Sequence, residues 1–124
     1  MMKKVIAIAF VAIIVFSLCA CSGGKSAFVG TWVSNEQYWE SINYYYKETY
    51  VFYASGTGDY RSVLTRPRPG EKEGEIKSSC GFTWEIKSGD VIIQKSNGHI
   101  ETFSFDGKTL IKRSNSNYVM HKKY

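Results

Sequence analysis

Alternating or mostly apolar segments, separated by turn signals at short intervals, cover most of the chain beyond residue 27. Short strands with turn residues between them are typical of an all-β domain. The predicted strands cover residues 28–33, 47–54, 57–65, 80–87, 91–95, 99–105, 108–113 and 117–123. Residues 34–46 fit helical spacing about as well as strand spacing, and residues 66–79 form a long polar loop. The pattern therefore predicts eight strands and one segment that is either helix or loop.

Two dipeptides, Asn97-Gly98 and Asp106-Gly107, predict how the later strands pair, because both favour two-residue hairpin turns. Such turns would set Ile92, Phe103 and Leu110 side by side, with Gln94, Glu101 and Lys112 next to them. Directly opposed residues share one face of a sheet. We therefore expect an apolar row beside a polar row on the same face, and the apolar row indicates that this face points inward.

The strand at 80–87 alternates apolar and polar residues. A three-residue loop at 88–90 would bring Trp84 beside Gln94 on the inward face. A slip of one residue would turn that strand over. The last strand leaves two orientations open, in which either Tyr118 and Met120 or Val119 and His121 face the interior.

Antiparallel neighbours linked by tight turns, each with one apolar face, predict a meander. Eight such strands gain by closing, because closure removes both unpaired sheet edges. We predict an antiparallel up-and-down β-barrel of about eight strands over residues 27–124. Nine Tyr, seven Phe and three Trp supply large side chains for its core.

The N-terminus has a different pattern, with lysines at positions 3 and 4 followed by twelve apolar residues at 5–16. This is the architecture of a secretory signal, so residues 1–20 are excluded from the fold. Leu18-Cys19-Ala20-Cys21 resembles the lipobox of bacterial lipoproteins. The resemblance implies that Cys21 becomes the first mature residue and carries a diacylglyceryl group. The serine and glycine content of the following residues predicts a flexible tether over 21–26. The alternatives are an uncleaved anchor or cleavage by an ordinary signal peptidase.

The charge and the cysteine content bear on the partners and the cellular location of the protein. The chain has 16 basic and 11 acidic residues, so loss of the two signal lysines leaves a formal charge of +3, which does not favour nucleic acid. Cys19 leaves with the signal and Cys21 is acylated, so Cys80 has no partner for an intrachain disulfide. We expect a protein held by lipid on the cell membrane or outer membrane and facing away from the cytoplasm.

Gly30-Thr31-Trp32 opens the first strand and resembles the Gly-x-Trp motif of lipocalins and bacterial lipocalin-like domains. Later Tyr-x-Phe, Ser-Gly-Thr-Gly, Phe-Thr-Trp and Phe-Asp-Gly-Lys-Thr-Leu segments are similar to small lipocalin-like lipoproteins. The resemblance implies an antiparallel barrel that binds an apolar or amphiphilic small molecule. It also implies that Trp32 packs across the closed end under a basic side chain from a late strand, either Arg113 or Lys122.

A candidate ligand pocket combines the polar row with aromatic walls, since small-molecule sites join apolar surface to a few polar groups. Its residues are Trp84, Gln94, Glu101, Phe103 and Lys112. The alternative is a solvated Glu101–Lys112 pair near the barrel mouth. We expect no metal or cofactor, because His99 and His121 show no ligand spacing with each other or with Cys80.

The sequence favours a binding protein over an enzyme, because no serine, histidine and carboxylate fall into a catalytic pattern. The leading prediction is a membrane-anchored lipoprotein whose barrel binds an apolar or amphiphilic small molecule. The alternative is a structural or inhibitory envelope lipoprotein. It would bind an envelope or host protein through barrel loops and the aromatic cluster at residues 38–46.

Overall fold

A computed structural model describes residues 25–124 and shows an all-β protein. The strands are β1 (Gly30–Ser34), β2 (Gln37–Trp39), β3 (Tyr44–Phe52), β4 (Thr57–Leu64), β5 (Ile76–Lys87), β6 (Asp90–Lys95), β7 (Ile100–Phe105), β8 (Thr109–Lys112) and β9 (Val119–Lys123). Single-turn 3-10 helices cover Lys25–Ala27 and Glu40–Ile42. The predicted signal peptide, residues 1–20, and the predicted lipidation site, Cys21, lie outside the described residues.

The sheet closes on itself. From β3 to β9 each strand pairs antiparallel with the next, and β1 joins the two ends by pairing with both β9 and β3. Eight strands thereby form a closed barrel, and β2 is a short additional strand that continues β1 along β3. Closure pairs the two edges that an open meander would expose. The predicted up-and-down β-barrel is confirmed.

The segment 34–46, which fits helical and strand spacing equally well, contains β2, a 3-10 turn and the start of β3. Asn43 ends the turn with a φ of 49°, a left-handed conformation that Asn adopts more readily than most residues. The reversal places Tyr38 opposite Tyr45, with ring centres 4.4 Å apart. These aromatic residues therefore pair across two strands and not along one helix.

The meander gives the barrel two different ends. Segments 35–43, 65–75, 96–99 and 113–118 lie at one end, which we call the mouth. The N-terminal 3-10 helix and the turns at 53–56, 88–89 and 106–108 lie at the opposite, closed end. Inner side chains near the closed end form what we call the aromatic half: Phe28, Trp32, Phe52, Phe82, Trp84 and Phe105.

The aromatic half is packed ring against ring. Phe28 covers the closed end, with its ring centre 4.8 Å from that of Phe105 in an edge-to-face contact. The carbonyl of Phe28 accepts a hydrogen bond of 2.9 Å from the indole N–H of Trp32. Gly58 leaves room for the Phe82 ring, which occupies the space that a Cβ would fill. Aromatic side chains thus fill this half of the barrel.

The predicted register of β6 is wrong by one residue at both of its turns. Ser88 and Gly89 both adopt positive φ and form a two-residue turn, where the sequence predicts a three-residue loop. At the next turn only Gly98 has positive φ, and the amide of Lys95 donates to the carbonyl of His99 at 2.8 Å, so the loop has three residues. The strand is therefore turned over. Val91, Ile93 and Lys95 point inward, whereas Ile92 and Gln94 point outward.

The turn between β7 and β8 differs by two residues from its prediction. Phe105 lies opposite Leu110, not Lys108. The carboxylate of Asp106 accepts the amides of Lys108 at 2.9 Å and Thr109 at 2.7 Å, so Asp106 caps the turn from the strand end. A shift of two keeps every side chain on its face. Phe103, Leu110 and Lys112 point inward, and in the last strand Tyr118 and Met120 face the interior.

Candidate functional site

Polar side chains replace the aromatic core where the barrel approaches its mouth. Each of the eight barrel strands, or the residue just before it, contributes at least one of them. We call this set the polar layer: Ser34, Glu48, Tyr60, Ser62, Ser78, Cys80, Lys95, Glu101, Lys112 and Tyr118. A polar layer in the interior needs internal partners, because buried polar groups without them are costly.

Glu48 forms the centre of the polar layer. Its two carboxylate oxygens accept the hydroxyls of Tyr118, at 2.5 Å, and of Tyr60. Its backbone amide donates to the hydroxyl of Ser34 at 2.8 Å. Burial, together with the negative charge of Glu48, raises the pKa of both tyrosines far above the usual range. The tyrosines are therefore neutral donors at neutral pH.

Glu101 and Lys112 form a second group on the inner face. The carboxylate of Glu101 lies 3.5 Å from the ammonium of Lys112 and 2.6 Å from Nε2 of His99. The ammonium of Lys112 lies 4.0 Å from the centre of the Tyr118 ring, a cation–π contact. The predicted Glu101–Lys112 contact is present, although the two residues are diagonal neighbours because Phe103 lies opposite Lys112.

Lys95 differs from Lys112, the other lysine of the polar layer, because it forms no ion pair within the described residues. Only 8% of its surface is exposed, and its ammonium lies 3.8 Å from the centre of the Tyr60 ring and 5.5 Å from that of Tyr50. Among residues 25–124 these two rings are the contacts of its ammonium, which forms no ion pair there. Burial lowers the pKa of Lys95, while the more distant Glu48 and Glu101 oppose that shift.

Two tyrosine hydroxyls share this lack of partners. The hydroxyls of Tyr44 and Tyr50 are buried and have no hydrogen-bond partner within the described part of the chain. Tyr50 lies between the polar layer and the aromatic half, with its ring centre 5.0 Å from that of Tyr60. Buried polar groups of this kind are few in native proteins.

A pocket of about 280 Å³ opens above the polar layer at the mouth. Its lining residues are Trp39, Ile42, Tyr44, Ser62, Arg68, Lys77 and Ser78. Aromatic and aliphatic side chains form the wall, while two serines of the inner face form the floor, with their hydroxyls 3.1 Å apart. An apolar wall with a few convergent polar groups is the usual composition of a small-molecule site.

The loop at 65–75 is held against this pocket by ionic contacts. Arg68 pairs with Glu71 at 2.7 Å and donates to the carbonyl of Ile42 at 2.8 Å. Lys77 also contacts Glu71, at 3.0 Å. Hydrogen bonds from Arg68 and Lys77 hold the pKa of the Glu71 carboxyl far below its usual range. The two cations beside the pocket are thus already neutralised by the loop.

The structure brings together only part of the predicted pocket. Glu101, Phe103 and Lys112 are neighbours on the inner face. Trp84 belongs to the aromatic half, where its indole N–H donates to the carbonyls of residues 53 and 57. Gln94 is exposed on the outside. The predicted register was wrong by one residue, so it had placed this side chain on the opposite face of β6.

Sequence reasoning missed Glu48 and Lys95. A signal for the first was present, because Glu48 has the same parity along β3 as the inward Tyr46, Tyr50 and Phe52. Lys95 follows Val91 and Ile93 with a period of two, which also indicates an inward position. Both signals can be used only when it is known which face of each strand points into the barrel.

The Gly30-Thr31-Trp32 segment, which resembles the lipocalin Gly-x-Trp motif, lies at the closed end. Trp32 is buried, and Gly30 has a φ of 130° that disfavours residues with a side chain. Lys122 is paired with Trp32 across β1 and β9 and donates to the carbonyl of Ala27 at 3.3 Å. Arg113, the alternative basic residue, instead pairs with Asp90 on the outside at 2.8 Å.

Comparisons with protein-family models, with curated proteins and with solved structures gave no match. The lipoprotein and lipocalin-like resemblances therefore stay predictions from the sequence. Within residues 25–124 no helix is long and apolar enough to cross a membrane. In the same residues, no three His, Cys, Asp or Glu side chains are grouped so that they could share a metal ion.

Proposed function

We propose that this protein is a lipid-anchored binding protein whose barrel mouth holds an amphiphilic small molecule. The observation that carries the proposal is the mouth pocket, in which an apolar wall stands over a polar floor. The aromatic half is filled by its own side chains, so the ligand lies in the mouth and does not extend through the barrel.

Eight-carbon amphiphiles that differ only in the head group test this function. Octanoate, 1-octanol and octylamine are titrated into the purified protein, and binding is followed by tryptophan fluorescence. Trp39 lines the pocket and is 56% exposed, whereas Trp32 and Trp84 are buried, so a ligand in the mouth changes chiefly the emission of Trp39. At least one of the three probes should bind, and saturable binding of none would overturn the proposal.

Two neighbouring serines of β5 provide a matched pair of variants. Ser78→Leu fills the floor of the pocket and should weaken every probe that binds by at least about tenfold. Ser79→Leu makes the same change one position along the strand, on the outer face, and should leave binding unchanged. Equal effects of the two substitutions would show that the probes bind elsewhere.

Membrane attachment at Cys21 is the second part of the proposal. The lipobox-like segment supports it, and a diacylglyceryl group supplies the two chains that stable anchoring needs. In the producing bacterium, labelled palmitate should enter the wild-type protein but not Cys21→Ser. Full membrane retention of an unlabelled, signal-cleaved Cys21→Ser protein would contradict lipid anchoring.

Exposed apolar residues around the mouth favour a second function, the binding of an envelope or host protein. Tyr38, Trp39, Ile42 and Ile76 are large and exposed, and all lie on mouth segments or at the start of β5. Residues 76–80 of β5 pair with β4 on one side, while pairing with β6 begins only at Phe82. An extended peptide can add to such a free strand edge.

Photocrosslinking distinguishes this second function. A photoreactive residue at position 76 should capture one defined protein in intact cells. The same residue at position 53 is the control, since Tyr53 is 44% exposed and lies in the turn at the closed end. Identical products from both positions would argue against a specific partner at the mouth.

A further inference from the structure

A second pocket, of about 430 Å³, opens at the closed end of the barrel, opposite the mouth. Two lysines and a histidine line it, namely Lys108, Lys122 and His121. Aromatic side chains that include Trp32 and Tyr124 form other parts of its wall, and none of the described residues that line it is acidic. This lining favours a small anionic group over a cationic one.

The two lysines come from different elements of the barrel. Lys122 lies on β9 opposite Trp32 of β1, and its ammonium donates to the carbonyl of Ala27 at 3.3 Å. Lys108 is exposed in the turn between β7 and β8. Lysine binds phosphate as a point charge, so two lysines that line one pocket suit a phosphate group.

The acidic residue that precedes this turn, Asp106, serves the turn itself. Its carboxylate accepts the amides of Lys108 and Thr109, and also the hydroxyl of Thr109 at 2.8 Å. Asp106 does not line the pocket, whereas Gly107 and Lys108 do. The charged side chains at the wall of the pocket are therefore those of the basic residues.

The N-terminal segment is docked on the same end of the barrel. The ammonium of Lys25 lies 5.2 Å from the centre of the Trp84 ring, and the carbonyl of Lys25 accepts the amide of Phe28 at 3.0 Å. The contact between Lys122 and the carbonyl of Ala27 also holds this segment. The part of the chain that the structure describes therefore begins at the closed end.

The length of chain between Cys21 and Lys25 limits how far this end can lie from a lipid on Cys21. Lys25 follows Cys21 by four positions, and four residues span at most about 14 Å. A lipid anchor would thus hold the closed end near the head groups of the bilayer, with the mouth turned away. The phosphates of phospholipids are the anions of such a surface, and an anionic leaflet attracts lysines close to it.

Tyr124 suits the same surface. Its side chain is fully exposed at the rim of the pocket, with its ring centre 5.8 Å from the ammonium of Lys122. Tyrosine is enriched at membrane–water interfaces, where the ring lies at the level of the head groups. An exposed tyrosine beside a lysine therefore fits a lipid surface.

We propose that the closed-end pocket binds the phosphate of an anionic phospholipid, with Lys108 and Lys122 as its cationic contacts. The proposal rests on the anchoring at Cys21 in the proposed function, and it adds a second membrane contact that orients the barrel. An anionic lipid is preferred to phosphatidylcholine, because the same lysines repel the choline ammonium. The contact is ionic and reversible, and no covalent step is involved.

The test places the lipidated protein in phospholipid nanodiscs. Lysine amines are dimethylated with ¹³C-formaldehyde, which keeps their charge, and three signals are assigned by their loss in Lys108→Arg, Lys122→Arg and Lys72→Arg. Replacing phosphatidylcholine by an equal mixture with phosphatidylglycerol should shift the signals of Lys108 and Lys122. The signal of Lys72, which is exposed in the mouth loop, should stay in place. Unshifted Lys108 and Lys122, or equal shifts of all three, would overturn the proposal.

A matched pair of variants tests whether the two lysines share one ligand. Lys108→Gln removes an exposed cation at the closed end, and should reduce the shift of the Lys122 signal at least about twofold. Lys72→Gln removes an exposed cation at the mouth and should leave that shift unchanged. Equal effects of the two substitutions would contradict a shared phosphate.

The remaining outcomes separate a lipid from a free anion, and this proposal from the anchoring on which it rests. Inorganic phosphate that shifts Lys108 and Lys122 as strongly in phosphatidylcholine discs would assign the pocket to a free anion and overturn the lipid contact. A protein that incorporates no palmitate and does not attach to either disc would overturn the anchoring and the lipid contact together. Attachment through the anchor without a phosphatidylglycerol shift would overturn the lipid contact alone.

Discussion

The aromatic half and the polar layer occupy the same barrel, only a few residues apart along each strand, but they differ in what they leave unpaired. In the aromatic half, the indole N–H groups of Trp32 and Trp84 donate to backbone carbonyls. In the polar layer, the ammonium of Lys95 lies over two tyrosine rings, and the hydroxyl of Tyr50 has no hydrogen-bond partner among the described residues. One half of the barrel is an aromatic core with paired donors, and the other is a polar interior that faces the mouth.

This difference assigns separate tasks to the two halves. The aromatic half contributes large buried side chains, whose burial stabilises a small domain without an intrachain disulfide in its described part. Buried donors without a partner reduce stability. Substitutions in the two halves should therefore affect stability and binding differently.

The largest expected effect is on the aromatic half. Trp32→Ala removes a buried ring and its hydrogen bond, and should lower the free energy of unfolding by about 3–5 kcal/mol. Trp39→Ala removes an exposed ring at the mouth and should change it by about 0.5 kcal/mol or less. Urea denaturation measures both, and similar losses would contradict the division of the barrel.

A smaller loss is expected at the centre of the polar layer. Glu48→Leu leaves the hydroxyls of Tyr60 and Tyr118 without their acceptor and should cost about 2–3 kcal/mol. In a Tyr60→Phe, Tyr118→Phe background the same substitution should cost less, because no hydroxyl is stranded. Urea denaturation of the four proteins gives this coupling, and strict additivity would show that Glu48 does not hold the two tyrosines.

Substitution of Lys95 should raise the free energy of unfolding, whereas the two preceding substitutions lower it. Lys95→Met replaces a buried, unpaired ammonium by an apolar side chain of similar length, so the free energy of unfolding should rise by about 1 kcal/mol. Urea denaturation measures the change, and a loss of stability in Lys95→Met would show that the contacts of the ammonium are net favourable.

The smallest effect concerns the Asp106 turn at the closed end. Amides of Thr109 and Lys108 and the hydroxyl of Thr109 lower the pKa of Asp106 to about 2, against about 3.9 in an unfolded chain. The stabilising contribution is therefore fully present above about pH 4 and is lost as the pH falls towards about 2. Asp106→Asn should remove this part of the acid dependence in thermal melts, and parallel curves for the two proteins would contradict it.

The sequence predicted the barrel well because apolar alternation and turn residues are local signals. It placed Phe103, Leu110 and Lys112 inward correctly, since the error at the Asp106 turn was an even number of residues. It failed at β6. The residues that adopt positive φ in the two flanking turns set the lengths of those turns, and the turn lengths set the register of the strand. Ser88 adopts positive φ and Asn97 does not, which is the reverse of the usual preference.

That single error concealed the main feature of the candidate site. The predicted register of β6 points Gln94 inward and Lys95 outward, so it predicts no buried cation. The mouth pocket was equally beyond prediction, because Trp39 and Ile42 meet Ser62 and Ser78 only after residues 34–46 fold back along β3. Contacts between distant segments depend on the closed fold.

The central claim is that ligand binds at the mouth while the aromatic half stays undisturbed. The three tryptophan indole N–H signals in a ¹H–¹⁵N spectrum test it directly, because Trp39 lines the mouth pocket whereas Trp32 and Trp84 belong to the aromatic half. Saturation with octanoate should shift the Trp39 signal and leave the other two in place. Shifts of Trp32 or Trp84 with an unchanged Trp39 would contradict the account.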